Sequence, residues 1–461
     1  MGERDDYKFL ELKDAIASIN QKVNLIGVII ECGFPKGTRG TDCFCTVKIV
    51  DESYQKPGLP VNMFAEHFGM LPLIASFGDI IQLSNVMMKT HGGEVYAVFN
   101  KKSSTFAVYD GKGGEYVPYQ THLKFIQRDL DKKFIAGLRN WFIDFQIDED
   151  SKNFSLVREL KERRFVDLAC KVIHVQEFKG EWMTFLWDGT DTQPSSIPTR
   201  LEDERNNPLP LQPELLHLSR DILGTFPALG SVLRVVFDQG TKKHGLHLLH
   251  VGKWMKFVNV YCKVNGGLWH GSFTPSTKFR YTHDRDRLVL ERQRLYNERL
   301  GMRYGRNPYW SFPWTSPITE VDYKDVPFVT LMDVLTYPEV TAKFLCVVRV
   351  VALYPWQAKD FCSRGIYRVR LTLEDPTARI HAYLYGEDGN KFFGDQLAID
   401  VLTKKRNALL GVATNDVGKQ VEDDARNPPW VQCCLKSYYL DKSDIWGSRQ
   451  YQIFGTRLVV D

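Results

Sequence analysis

The stretches "GDIIQLSNVMMKTHGGEVYAVF" (residues 78–99) and "GKWMKFVNVYCKVNGGLWHGSF" (residues 252–273) align without a gap. Gly78 falls on Gly252, Asn85 on Asn259, Val86 on Val260, Lys89 on Lys263, Gly92 and Gly93 on Gly266 and Gly267, and Phe99 on Phe273. Each reads as two strands joined by a Gly-Gly turn, because glycine accepts the positive φ that a tight hairpin needs. A repeat of this length points to several copies of one unit rather than one large core.

Outward from the hairpin, the rest of the unit recurs. "LKDAIASINQKVNLIGVII" from Leu12 lies over "LMDVLTYPEVTAKFLCVVR" from Leu331, and "FVDLACKVIHV" (residues 165–175) is the equivalent first strand between them. An inner strand then ends on an acidic turn in each copy: "TVKIVDES" to Ser53, "MTFLWDGTD" to Asp191 and "VRLTLEDPT" to Thr377. A third strand follows, "VNMFAEHF" from Val61 and "RIHAYLYGED" from Arg379. In the last copy the closing hairpin is assembled from residues 431–440 and 449–460. A first strand, two more joined by a turn, a longer connection and a final hairpin make the five-stranded Greek-key barrel of the OB-fold. The expected fold is all-β, three tandem OB-folds with connecting helices, in domains 7–145, 151–305 and 325–461. Helical periodicity places the connecting helices at residues 123–144 and 285–305, the second strongly basic and followed by the loop "RNPYWSFPWTSP".

The 461-residue chain is 43% hydrophobic and 13% aromatic with a net charge of +4, which permits a nucleic-acid partner without demanding one. It has no apolar run of about 18 residues, so no membrane partner is expected. "GERDD" after Met1 places Asp6 where a myristoylation signal wants Ser or Thr, and neither an anchor nor a secretory leader is expected. Nine cysteines without a Cys-x-x-Cys pair read as buried thiols, with no metal site and no cofactor. The acidic run "DFQIDED" (residues 144–150) reads as a solvated linker, and "DGKGGE" (residues 110–115) lacks the Lys-Ser/Thr ending of a phosphate loop. No catalytic residues are assigned, and the chain is expected not to be an enzyme.

The loop "GFPKGTRGTD" (residues 33–42) joins the first two strands, where an OB-fold loop overhangs the binding face. Phe34 offers a ring, Lys36 and Arg39 offer cations for phosphate, and Thr41 and Asp42 can hydrogen-bond base edges; Asp42 suits the amino group of guanine. On the third strand Val61 and Met63 alternate with Asn62 and Phe64, which places Phe64 on the polar face. Lys89 and His91 lead into the Gly-Gly turn and extend the basic rim. Rings among cations are what unpaired bases require.

The run "KGTRGTDCFCTVKIVDES", followed by "PGLPVNMFAEH", "LPLIASFGDIIQL" and the Gly-Gly hairpin, resembles the first OB-fold of telomere end-binding proteins, in particular the plant branch of the protection-of-telomeres family. The resemblance implies binding of the single-stranded G-rich telomeric overhang, chromosome-end protection and regulation of telomerase access, in the nucleus at telomeres. It implies that Phe64 stacks on a base, that Lys36, Arg39, Thr41 and Asp42 form the reading loop, and that His91 sits at a stacking position held by tyrosine in vertebrate forms. In the second barrel it points to Phe237 and His270. Residues 325–461 lack the length and the cysteine pairs of the vertebrate nuclease-like insert, and are expected to be a plain OB-fold for protein contact. The partners implied are single-stranded telomeric DNA, telomerase, and the CST complex or a shelterin-type protein. The competing readings are a scaffold that binds DNA weakly and a general single-strand binder like replication protein A.

Overall fold

Alternation of Val, Ile, Leu, Met and Cys with polar side chains decides which face of each strand is buried, and three separate sets of such strands close on themselves. The computed structural model describes residues 8–145, 154–214, 217–237, 246–283, 285–312, 318–323, 325–395, 398–413 and 425–460. The first barrel is built from Lys22–Gly33, Cys43–Val50, Leu59–Ala65, Ile80–His91 and Glu94–Phe99. Its first strand pairs antiparallel with the second and the fourth, and a parallel pairing of the third with the fifth, Val61 opposite Ala97, closes it. The second barrel (Arg164–Phe178, Glu181–Trp187, Leu233–Phe237, Trp254–Asn265, Leu268–Phe273) and the third (Lys343–Tyr354, Ile366–Glu374, Arg379–Tyr385, Trp430–Tyr439, Arg449–Phe454) repeat that order, each with a parallel third-to-fifth pairing. These are three OB-folds in tandem, as the repeated hairpin implied.

Two small devices recur with the fold. Asn85 and Asn259 both take left-handed backbone, φ 56° and 59°, beside a register shift in the fourth strand. The displaced amide of each is used: Asn85 N donates to Asn24 Oδ1 at 3.0 Å, and Asn259 N to Asp167 Oδ1 at 2.9 Å. Such a bulge bends the long strand so that it can pair with two neighbours. The acidic turns form the second device. Asp51 accepts from Leu12 N (2.8 Å), Asp188 from Val157 N (2.7 Å) and Asp375 from Leu331 N (2.8 Å). In each barrel a carboxylate at the end of the second strand thus holds the lead-in turn against the barrel base.

The connecting helices are shorter than the periodicity suggests. Only Asp131–Ile143 is helical of residues 123–144, because the preceding chain is tied to a strand: Tyr119 N donates to Val108 O (2.9 Å) and His122 N to Phe106 O (2.8 Å). Asp131 then turns its carboxylate back to Arg128 N at 3.0 Å and starts the helix. The basic helix spans Arg287–Gly301, capped by Asp286, which accepts from Leu288 N and pairs with Lys256 Nζ at 2.7 Å.

The barrels are fused rather than strung out. A short strand, Lys278–Arg280, pairs with the first strand of the first barrel and the fourth strand of the second, so one sheet runs through both. Glu31, 2% exposed, sits at that seam with Arg280, Lys278 (3.1 Å) and Lys48 (3.8 Å) around it. The second and third barrels are joined by buried arginines. Arg379 pairs with Glu374 and donates to Pro210 O and Gly266 O, both at 2.8 Å, while Arg349 pairs with Glu374 and donates to Ser195 O at 3.0 Å.

Burial pushes the Glu31 carboxyl up, but the cations of Arg280, Lys48 and Lys278 outweigh it and hold it below the usual range. Its contribution to stability is therefore complete above about pH 4.3 and is lost as pH falls through the lower folded value. Glu31→Gln leaves three cations around a neutral amide and should destabilise the chain by about 3 kcal/mol. Denaturant melts at pH 7 and below pH 4 check this, since the penalty should shrink in acid.

Candidate nucleic-acid interface

In the second strand of the first barrel Cys43, Cys45 and Val47 point inward, so Phe44 and Thr46 point out. The third strand places Phe64 opposite Phe44 and Asn62 opposite Thr46. The two rings are stacked, with centroids 5.6 Å apart and planes inclined by 21°. Thr46 Oγ1 donates to Asn62 Oδ1 at 2.9 Å, which leaves the amide nitrogen of Asn62 as the donor to a ligand. Tyr96, on the fifth strand opposite Lys89, continues the outward face.

The loop is tied to this face by its own backbone. Lys36 and Gly37 pair with Phe44 and Cys43 as a two-residue strand, and Lys36 Nζ lies 4.9 Å from the centre of the Phe44 ring. Thr38 N donates to Asp42 O (2.8 Å) and Gly40 N to Thr38 Oγ1 (3.2 Å), which folds the tip on itself with Arg39 and Thr41 exposed. Asp42 is a half-buried carboxylate whose Oδ1 accepts from Lys101 Nζ at 2.8 Å. Lys89 Nζ donates to Asn20 Oδ1 at 3.0 Å, and His91 is exposed at the hairpin turn.

The structure therefore brings Lys36, Asn62 and Phe64 onto one patch, with Arg39, Thr41 and Asp42 on its loop and Lys89 and His91 on the neighbouring edge. Sequence reasoning missed Phe44 and Tyr96. The alternation that singled out Phe64 also marks Phe44, whose neighbours Cys43 and Cys45 both point inward.

Three expected site residues lie elsewhere. Phe34 is 5% exposed and is inserted into the second barrel's core, 4.9 Å from the Phe279 ring and 6.1 Å from that of Phe237. It is a joint between barrels, not a stacking ring, because the strand Lys278–Arg280 draws the second barrel against the base of the loop. Phe237 is also 5% exposed and points inward. Its register shows why: Leu59 faces Ile49 and Leu233 faces Leu186, so Phe237 matches the inward Met63, and Asp238, which matches Phe64, lies outside the described residues. His270 does occupy the outward position of Tyr96, but it is buried, and burial together with Lys263 pushes its pKa down.

His270 is buried because the second barrel's outward face is covered by the chain itself. Phe185 and Trp187 lie under Leu218, Phe226 and Met332 of the long connection and the third barrel. Arg234 is held by Glu214 at 3.0 Å, and the Gly266–Gly267 turn is pressed against Arg379 and Ile197, where a Cβ on Gly267 would meet Ile197 at 2.6 Å. Among the described residues, the second barrel's outward face is thus filled by the chain's own side chains.

Among the described residues no cluster of three His, Cys, Asp or Glu side chains is placed to hold a metal ion. All nine cysteines are free thiols, and burial pushes Cys45 and Cys262 up to about 12.

Fold and site together define a tandem OB-fold protein with an open aromatic, basic face on its first barrel. A family model described as "Telomeric single stranded DNA binding POT1/CDC13" matches residues 3–152, and one described as "POT1A-like, OB fold domain" matches residues 314–444. The chain is 42% identical to Protection of telomeres protein 1b of Arabidopsis thaliana over 98% of both chains, and 39% identical to protein 1a of the same plant over 99% of both. Protection of telomeres protein 1 of Homo sapiens is 24% identical over 52% of this chain and 36% of its own length. The chain belongs to the protection of telomeres family.

Ring stacking and core packing predict opposite signatures for two phenylalanines. Phe64→Ala should weaken single-strand binding by about 1–3 kcal/mol with an unchanged melt. Phe34→Ala should lower stability by about 3–5 kcal/mol through the cavity it leaves. Fluorescence anisotropy and chemical denaturation on both variants separate the two roles.

Proposed function

We propose that the chain binds the single-stranded G-rich DNA of telomere 3′ ends through the first barrel and protects those ends in the nucleus. The observation that carries this reading is the stacked Phe44–Phe64 pair on the outward face, with Lys36 over it. Two near-parallel rings offer faces on which unpaired bases stack, and the cations beside them attract the phosphates between those bases. Membership of the telomere-protection family supplies the substrate class. Telomerase regulation follows as competition: a 3′ end held on this face is withheld from the enzyme that extends it.

Partner proteins, among them telomerase and the CST complex or a shelterin-type protein, are assigned to the third barrel. The exposed apolar side chains of its helix Ile399–Leu410, Ile399 and Val401, are a candidate contact. The reading of Asp42 is refined by its ion pair. Lys101 fixes one carboxylate oxygen, so the group is oriented before DNA arrives and can accept from a guanine amino group at no cost of ordering.

The deciding experiment titrates the full chain with G-rich telomeric, C-rich telomeric and scrambled single strands at several salt concentrations. Lys36→Ala and Arg39→Ala should weaken all three alike, and each should reduce the slope of log affinity against log salt by about 0.7. Asp42→Ala should instead narrow the gap between the telomeric and scrambled strands. Equal affinity for all three strands with the unaltered chain would refute the telomeric reading.

A further inference from the structure

The third barrel repeats the first barrel's binding register. In the first barrel Ile49 faces Leu59, and five residues outward along both strands Phe44 faces Phe64. In the third barrel Leu373 faces Ile380, and five residues outward Arg368 faces Tyr385. Tyr385, 52% exposed, thus stands where Phe64 stands, and the Arg368 guanidinium takes the place of the Phe44 ring, 5.8 Å from the centre of Tyr385. A planar guanidinium beside a phenol ring is a stacking platform in the same sense as two phenyl rings.

The surroundings extend the likeness. Tyr383 shares the outward side of the third strand with Tyr385, and Tyr354 on the first strand, 39% exposed, lies under the guanidinium of Arg370 at 5.6 Å; Glu204 of the second barrel's connection holds that guanidinium at 3.0 Å. The loop between the first and second strands carries exposed Lys359 and Arg364, and both barrels set an Arg-Gly pair before the second strand, Arg39–Gly40 and Arg364–Gly365. Asp388, at the far edge, is already held by Lys436 (2.9 Å) and Gln452 (2.8 Å). Rings interleaved with arginines put stacking faces and phosphate donors side by side, which is what a chain of bases and phosphates uses.

We propose that this face of the third barrel is a second contact for single-stranded polynucleotide, so that the first and third barrels bind while the second, with its face filled, holds them apart. The inference rests on the reading of the first barrel's face in the same register. It assigns Tyr385 to base stacking, Arg368 to stacking and phosphate contact, and Arg364 and Lys359 to phosphate contact.

The test uses the full chain and labelled strands of about 10 and about 30 nucleotides, short enough for one OB-fold and long enough for two, each as deoxyribo- and ribo-oligomers. Tyr385→Ala and Arg368→Glu should each weaken the long strand roughly ten-fold, the low-to-middle range for one lost stack. The short strand should be unaffected, and Tyr385→Phe should restore the long-strand affinity. Thermal melts check that the variants are folded. The DNA and RNA arms show which sugar the face accepts, and a loss in either supports the proposal. Unchanged long-strand affinity in both arms for folded Tyr385→Ala and Arg368→Glu overturns it and leaves the face to a protein partner. Phe64→Ala should weaken both lengths. If Phe64→Ala has no effect while Tyr385→Ala does, the first-barrel reading fails and the third-barrel site stands.

Discussion

The strand Lys278–Arg280 has hydrogen-bonded neighbours on both sides, one from each of the first two barrels, and the arrangement of the molecule depends on it. An edge strand left open is an invitation to pair with another chain. Here two edges are closed by one strand, which fixes the angle between barrels by backbone geometry. Glu31 completes the seam by neutralising Lys278 and Arg280, the two cations that flank Phe279, while Phe279 itself packs on Phe34. The base of the first barrel's loop is consequently part of the second barrel's core, and only the tip, from Lys36 to Asp42, remains to meet a ligand.

The same fold was used three times, and its backbone devices survived where its surfaces did not. The carboxylate under the lead-in turn recurs in all three barrels and the left-handed asparagine bulge in the first two, where they answer steric and hydrogen-bonding demands of the barrel itself. The outward face is free of those demands and differs in each barrel. It bears stacked phenylalanines in the first barrel, a lid of the chain's own apolar residues in the second, and tyrosine with arginine in the third. The lid has a physical origin in length: the connection between the second and third strands of the second barrel, Asp188 to Val232, is long enough to fold back over Phe185 and Trp187.

That division explains what was legible in the sequence. Gly92, Gly93, Gly266 and Gly267 all need positive φ, a local demand written in residue type, so the hairpins and hence the fold could be read directly. The patch around Phe64 followed from period-two alternation over a few residues. Phe34 could not be placed that way, because an aromatic in a basic loop is written identically whether it faces solvent or a neighbouring core. The strand that decides between them is three residues long and lies far along the chain. Phe237 was misjudged for a subtler reason. Inward or outward orientation in a strand changes with every residue, and only the register of Leu233 against Leu186 fixes it.

The joint between the second and third barrels has a different chemistry, and with it a different consequence. Arg349 and Arg379 are almost wholly buried, share Glu374, and reach backbone carbonyls of the second barrel, while Arg349 also donates to Pro428 O of its own barrel. Guanidinium suits this role because its planar fork satisfies several acceptors at once without giving up its charge. Three of those acceptors, Ser195, Pro210 and Gly266, belong to the second barrel's connection and hairpin, the elements that surround an OB-fold binding face. The third barrel is therefore held against its neighbour by those elements. With one joint made of sheet and the other of buried arginines, the separation of the outer faces is set by packed structure rather than by flexible linkers. If both faces take polynucleotide as proposed, a strand bound at one would meet the other at a fixed distance, which favours strands of matching length over shorter ones.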